Sequence, residues 1–145
     1  MSQILVVDDA LLTREALAKL LEQAGYTTTT AANGKDAWAM MYESTLYDRT
    51  PALIILDLMM RQMDGVMFLK LLRRSDHWAN IPVLVLTGLD DDAHLVQRAK
   101  KLGVEDIITK GGSGTEQLLL GVKRLVQPAP QPATGAAPRR RAVAV

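Results

Sequence analysis

The run Leu53-Ile54-Ile55-Leu56, ending abruptly in Asp57, constrains the chain more than any other stretch. Four consecutive apolar residues, two of them β-branched, fit a strand buried on both faces, as strands are in parallel sheets. Three further runs share the form. Ile4-Leu5-Val6-Val7 ends in Asp8-Asp9, Val83-Leu84-Val85-Leu86 ends in Thr87-Gly88, and Asp106-Ile107-Ile108-Thr109 is followed by Lys110. The threonine-rich stretch Tyr26–Ala31 reads as a half-exposed edge strand.

Helical periodicity fills the gaps. Leu17, Leu20, Leu21 and Ala24 share one face of a helix over Ala10–Ala24, which Gly25 ends. Asn33-Gly34 reads as a turn before a helix over Lys35–Ser44, with Ala37, Met40 and Met41 inward. Asp64-Gly65 precedes a helix to Arg74, with Phe68, Leu69 and Leu72 inward. Asp90-Asp91-Asp92 places negative charge at the start of a fourth helix, where the helix dipole favours it. Ser113 is placed to cap a fifth, whose Leu118, Leu119, Val122, Leu125 and Val126 share a face. Five strands alternating with five helices predict a parallel α/β sheet with helices on both faces.

Composition narrows the function. No cysteine is present, which removes disulfides, thiol catalysis and cysteine-ligated zinc, and fits a cytoplasmic protein. No apolar run reaches the ~20 residues of a membrane span, and no secretory signal is visible. The net charge of +1 conceals an asymmetry. Without Arg139, Arg140 and Arg141 the chain has 14 basic and 16 acidic residues, a formal charge of −2 over residues 1–127. Such a body gives no electrostatic reason to bind nucleic acid. Four of the six prolines lie in Pro128–Pro138. The chain therefore divides into a domain over 1–127 and a disordered Pro/Ala-rich tail over 128–145, ending in the arginine triplet. His77 and His94 read as surface residues, Trp38 and Trp78 as partly buried packing residues, and Met40, Met41, Met59, Met60, Met63 and Met67 as core or loop filling.

In a parallel sheet all strand C-termini share one edge, the edge where open α/β sheets place their ligands. The strand ends bring there Asp8 and Asp9, Asp57, the Thr87 hydroxyl and the Lys110 amine. Taken singly, Asp57 is compatible with a solvated turn and Asp8-Asp9 with helix capping. Taken together, crowded carboxylates repel one another and a hard divalent cation relieves them. A carboxylate can attack phosphorus, and a lysine, a hydroxyl and Mg²⁺ can neutralise phosphoryl oxygens. The residues thus point to Mg²⁺-assisted phosphoryl transfer onto an aspartate.

Over residues 3 to about 126 the sequence resembles the receiver domain of bacterial two-component response regulators, of the single-domain chemotaxis type. The resemblance rests on Val6-Val7-Asp8-Asp9, Ala31-Ala32-Asn33-Gly34, Ile55-Leu56-Asp57-Leu58-Met59-Met60 with Met63-Asp64-Gly65, Pro82-Val83 to Leu86-Thr87-Gly88, and Thr109-Lys110. It implies a flavodoxin-like doubly wound sheet in the order 2-1-3-4-5, for which the chemotaxis receiver is a standard example. It further implies Asp57 as phosphoacceptor and a Mg²⁺ site from Asp9, Asp8, Asp57 and the Met59 backbone carbonyl. Thr87 would be the switch hydroxyl and Lys110 the phosphoryl bridge. Three positions depart from the family pattern. Arg61 and Gly111 stand where proline is common, and Ile107 occupies the switch-aromatic position.

The function implied is a stand-alone response regulator, a signalling phosphoacceptor with no other enzymatic activity. The donor is a sensor histidine kinase or a histidine phosphotransfer protein. With no DNA-binding or enzyme domain after residue 127, output is protein binding or phosphorelay. The output face is that of the fourth helix, fifth strand and fifth helix, including Leu95, Arg98, Lys101 and Ile107. Alternatives are a pseudo-receiver acting as a constitutive scaffold and a receiver cut from a larger regulator.

Overall fold

The computed structural model describes residues 3–88 and 93–126. Strands and helices alternate without exception among them: β1 (Gln3–Val7), α1 (Leu11–Gln23), β2 (Thr27–Ala31), α2 (Gly34–Leu46), β3 (Leu53–Asp57), α3 (Gly65–Arg74), β4 (Val83–Thr87), α4 (Ala93–Leu102), β5 (Asp106–Thr109) and α5 (Gly114–Leu125). The five strands form one parallel sheet in the order β2-β1-β3-β4-β5. This is the flavodoxin-like arrangement expected from the sequence. No described helix is long and apolar enough to cross a membrane.

Side-chain alternation divides the core into two layers. Ile4, Val6, Leu53, Ile55, Leu84, Leu86 and Ile108 pack with Leu21 of α1 and Leu118 and Val122 of α5. Leu5, Val7, Ile54, Leu56, Val83 and Val85 pack on the other face with residues of α2, α3 and α4, among them Met41, Phe68, Leu69, Leu72 and Ala99. Every residue of β3 and β4 is buried, the cause of their unbroken apolar runs. β2 has one buried residue in five, as an edge strand should.

Register and alternation also place the charges. Val7 pairs with Leu56, so the next step along both strands brings Asp8 level with Asp57. Asp8, Asp57 and Lys110 continue the parity of Val6, Ile55 and Ile108, which faces α1 and α5. Thr87 continues the parity of Val83 and Val85 and belongs to the other face.

Several local expectations are corrected. Asn33 and Gly34 are not a separate turn: Asn33 is the N-cap of α2, its side chain accepting from the Asp36 N–H at 2.7 Å, and Gly34 is the first helical residue. Ser113 occupies the N-cap position of α5, but its side chain makes no capping bond. Met59 and Met67 are about half exposed, Met59 in the loop after β3 and Met67 on α3, where it fills neither core nor loop. Trp78 is buried, its indole N–H donating to the Thr45 hydroxyl at 3.0 Å. Asp90-Asp91-Asp92 and the segment 128–145 lie outside the described residues.

One glycine fixes the loop that follows β3. A Cβ on Gly65 would stand 2.6 Å from the Asp57 carbonyl oxygen and 2.7 Å from the Leu58 Cα. Both contacts are backbone and cannot move aside. The Gly65 N–H also donates to the Leu58 carbonyl at 2.9 Å, closing α3 onto the end of β3. Gly65→Ala is therefore expected to cost about 1–3 kcal/mol through overpacking. Urea unfolding checks this, and an unchanged midpoint would contradict the close approach.

Candidate functional site

The site begins with how the chain holds Asp8. Its N–H donates to the Ala31 carbonyl at 3.1 Å, and its Oδ1 accepts from the Ala10 N–H at 2.9 Å. Its carbonyl accepts from Arg14 Nη1 at 2.8 Å. The remaining polar atom, Oδ2, is buried and accepts no hydrogen bond. It lies 3.2 Å from Lys110 Nζ, an ion pair without hydrogen-bond geometry. The capping alternative for Asp8 thus resolves into a bond to Ala10. Ala10 itself is the N-cap of α1 and lacks a side-chain cap.

Asp57, only 3% exposed, ends β3. Its Oδ1 accepts from the Met59 N–H at 3.2 Å, and its Oδ2 lies 3.4 Å from Lys110 Nζ. Asp9 is half-buried beside them. One carboxylate oxygen from each of Asp8, Asp9 and Asp57 falls within a mutual span of 4.8 Å. Among the described residues this is the one cluster of its kind. Thr87 is buried at the end of β4, and its carbonyl accepts the Lys110 N–H at 2.8 Å, which anchors the lysine to the neighbouring strand. Gly111 and Gly112 then turn away at φ +85° and +57°, a conformation that costs little only for glycine. Ile107 pairs with Val85 in the sheet and packs against the α2–α4 layer. Arg61 is exposed. The structure therefore gathers Asp8, Asp9, Asp57, Thr87 and Lys110 on one edge, and leaves Ile107 on the strand leading to it.

The electrostatics follow from burial. Desolvation, then the negative charge of Asp8, push the Asp57 carboxyl up to about 6 from an ordinary 3.8, against the downward pull of Lys110 and the Met59 N–H. For Lys110, burial alone would lower the ammonium, but Asp57 and Asp8 outweigh it and the net shift is upward. One cation thus remains charged between two carboxylates without neutralising both.

Two features escaped the sequence. Arg14 carries no motif, although a cation in the first turn of α1 stands against the helix dipole and is a signal of other work. A groove of about 560 Å³ between α1 and α5 opens beside Lys110, lined by Leu12, Ala16, Leu17, Leu86, Ile108 and Leu118 among others.

A family model described as the response regulator receiver domain matches residues 4–122. The chain belongs to this family: it is a two-component receiver domain. Among curated relatives, the alkaline phosphatase synthesis transcriptional regulatory protein SphR of Synechococcus elongatus is 33% identical over 141 residues, covering 91% of this chain and 53% of that protein. The probable chemotaxis protein CheY of Rhizobium etli is 33% identical over 109 residues, covering 74% of this chain and 80% of that protein. The chain spans about half the length of the transcriptional regulators it matches, 53% of SphR and 47% of PhoB of Pseudomonas aeruginosa. Among solved structures, chemotaxis protein CheY4 of Vibrio cholerae aligns with a TM-score of 0.74 at 28% identity, covering 87% of this chain and 99% of that one. The receiver domain of a signal transduction histidine kinase from Syntrophus aciditrophicus aligns at 0.73 and 32% identity, covering 94% and 100%.

A pH dependence follows. With the folded Asp57 pKa raised to about 6, the folded state holds this proton more tightly than the unfolded chain. The stabilising contribution is fully present below the ordinary carboxylate pKa and is lost as pH rises through about 6. Asp57→Asn should remove this dependence and, at pH 7 in chelator, stabilise the chain by about 1–3 kcal/mol. Thermal unfolding of both proteins from pH 4 to 8 checks it. A variant less stable than wild type at pH 7 would contradict the crowded-carboxylate account.

Proposed function

We propose that the chain is a response regulator that accepts a phosphoryl group on Asp57 and signals by binding a protein partner or passing the group on. The observation that carries this reading is the Asp57 carboxylate, buried at a strand end, flanked by two more aspartates and reached by Lys110 at 3.4 Å. The donor is a phosphohistidine on a sensor kinase or a phosphotransfer protein. An Asp57 oxygen attacks phosphorus, the phosphorus–nitrogen bond breaks, and the imidazole leaves. Lys110, kept protonated by its two carboxylates, turns its charge to the phosphoryl oxygens. Thr87, one residue beyond Leu86 on the neighbouring strand, supplies a hydroxyl to them.

The donor set fits Mg²⁺. Three carboxylate oxygens within 4.8 Å of one another are the hard donors that this ion takes, a few at a time and together with water. Asp8 Oδ2, buried and met only by the shared Lys110 ammonium, supports the same reading. Asp9, Asp8, Asp57 and the Met59 carbonyl would hold the ion, which when bound offsets the negative charge gathered around the transferring phosphoryl group.

The receiver unit is assigned to residues 1–127 and the Pro/Ala-rich segment to 128–145, with the protein placed in the cytoplasm. Output runs through the α4–β5–α5 face, where a cleft of about 400 Å³ lies between Val96, Lys100, Val104, Asp106 and Ile107. The domain itself binds no nucleic acid on this reading. A second reading, a receiver belonging to a longer regulator, is supported by the chain's spanning only about half of its transcriptional relatives.

Intact-mass measurement after incubation with acetyl phosphate tests the assignment. Wild type with Mg²⁺ should gain one phosphoryl group; Asp57→Asn, or wild type in chelator, should gain none. An unmodified wild type, or a modified Asp57→Asn, would overturn it.

A further inference from the structure

The chain commits a half-buried arginine to a backbone carbonyl beside its acidic cluster, at a place where local helix energetics disfavour it. Arg14 lies in the first turn of α1, at the positive end of the helix dipole. That turn has no acidic residue and no side-chain cap. Its guanidinium instead reaches back to the carbonyl oxygen of Asp8, six residues earlier, at 2.8 Å.

That carbonyl belongs to the peptide joining Asp8 to Asp9. Asp8 is otherwise tied by its N–H to Ala31 and by its Oδ1 to Ala10. With Arg14 in place, the backbone is held on both sides of the Asp8 Cα, the Val7–Asp8 peptide by the Ala31 carbonyl and the Asp8–Asp9 peptide by Arg14. Oδ2 is then the one polar atom of Asp8 with no hydrogen bond, and it shares the Lys110 ammonium with Asp57 Oδ2. The orientation of this peptide also sets the direction in which the Asp9 side chain leaves the backbone.

We propose that Arg14 is a positioning residue for divalent-cation binding: it fixes the Asp8–Asp9 peptide so that both carboxylates face one ion. This rests on the cation site assigned above. It touches neither the ion nor the phosphoryl group and acts through the peptide it holds.

Two physical effects of Arg14 have opposite signs, and this makes the proposal testable. As a nearby positive charge, Arg14 repels a cation, so its removal would tighten binding. As a clamp on the ligand-bearing peptide, its removal loosens binding, by about tenfold where an outer partner of a metal ligand is lost. The clamp is assigned the larger effect.

The test is a calorimetric Mg²⁺ titration of the full chain as wild type, Arg14→Met and Arg14→Lys, with the Asp9 backbone amide followed by NMR without metal. Arg14→Met keeps the aliphatic stem and loses charge and donors. Arg14→Lys keeps the charge and loses the planar fork. The expected results are about tenfold weaker Mg²⁺ binding in Arg14→Met, a loss in Arg14→Lys as well, and a displaced Asp9 amide resonance in both. Tighter or unchanged Mg²⁺ binding in Arg14→Met with the Asp9 amide unmoved would overturn the proposal. So would a lowered melting temperature with affinity intact, which is the mark of a purely structural arginine. Should Arg14→Met fail to fold, the same criteria apply to Arg14→Lys. If wild type itself takes up no Mg²⁺, the cation-site assignment and the role of Arg14 in cation binding both fail. In that case a shifted Asp9 amide would show only that the arginine holds the peptide.

Discussion

The structure depends on a conflict between burial and charge at one end of the sheet. Asp57 and Asp8 are both buried, on adjacent strands and at the same level, with a single lysine between them. An apolar sheet edge would be more stable without them, because each carboxylate loses solvation and repels the other. Lys110 offsets part of this cost, and the upward shift of Asp57 shows that it does not offset all of it. The uncompensated charge is what would give the proposed cation site its affinity. On the proposed reading, the repulsion that destabilises the metal-free chain and the affinity for a cation have the same origin.

The rest of the fold supplies the geometry of that conflict. Parallel pairing places every strand end on one edge, and the β2-β1-β3 order makes the two acidic strands neighbours. Period-two alternation turns Asp8, Asp57 and Lys110 toward one face and leaves Thr87 on the other parity. Gly65 allows the chain to fold back against the Asp57 backbone, and Gly111-Gly112 release it after Lys110.

Much of this could be read from residues alone. Buried strands in βα alternation announce a parallel sheet, and their end residues announce an edge rich in acids and one lysine. Sequence is legible where the physics is local and periodic, and not where contacts between distant residues decide. Asn33-Gly34 carries a turn signal, but here the asparagine caps a helix whose first residue is the glycine. Met67 fits core or loop filling by residue type, but it lies on the exposed side of α3. Nothing in the neighbours of Arg14 indicates that it bonds a carbonyl six residues back. The departures at Ile107 and Gly111 are likewise visible as letters, but only the structure shows an anchored lysine and a cleft between α4 and β5 beside them.

Asp57 is a buried carboxylate whose charge Lys110 offsets only in part, and its own titration measures this most directly. Carboxyl ¹³C NMR of Asp57 in the metal-free chain should give a midpoint near the value of about 6 that burial and Asp8 impose. Saturating Mg²⁺ should move it well below that. A metal-free midpoint in the ordinary carboxylate range, unmoved by Mg²⁺, would contradict the account.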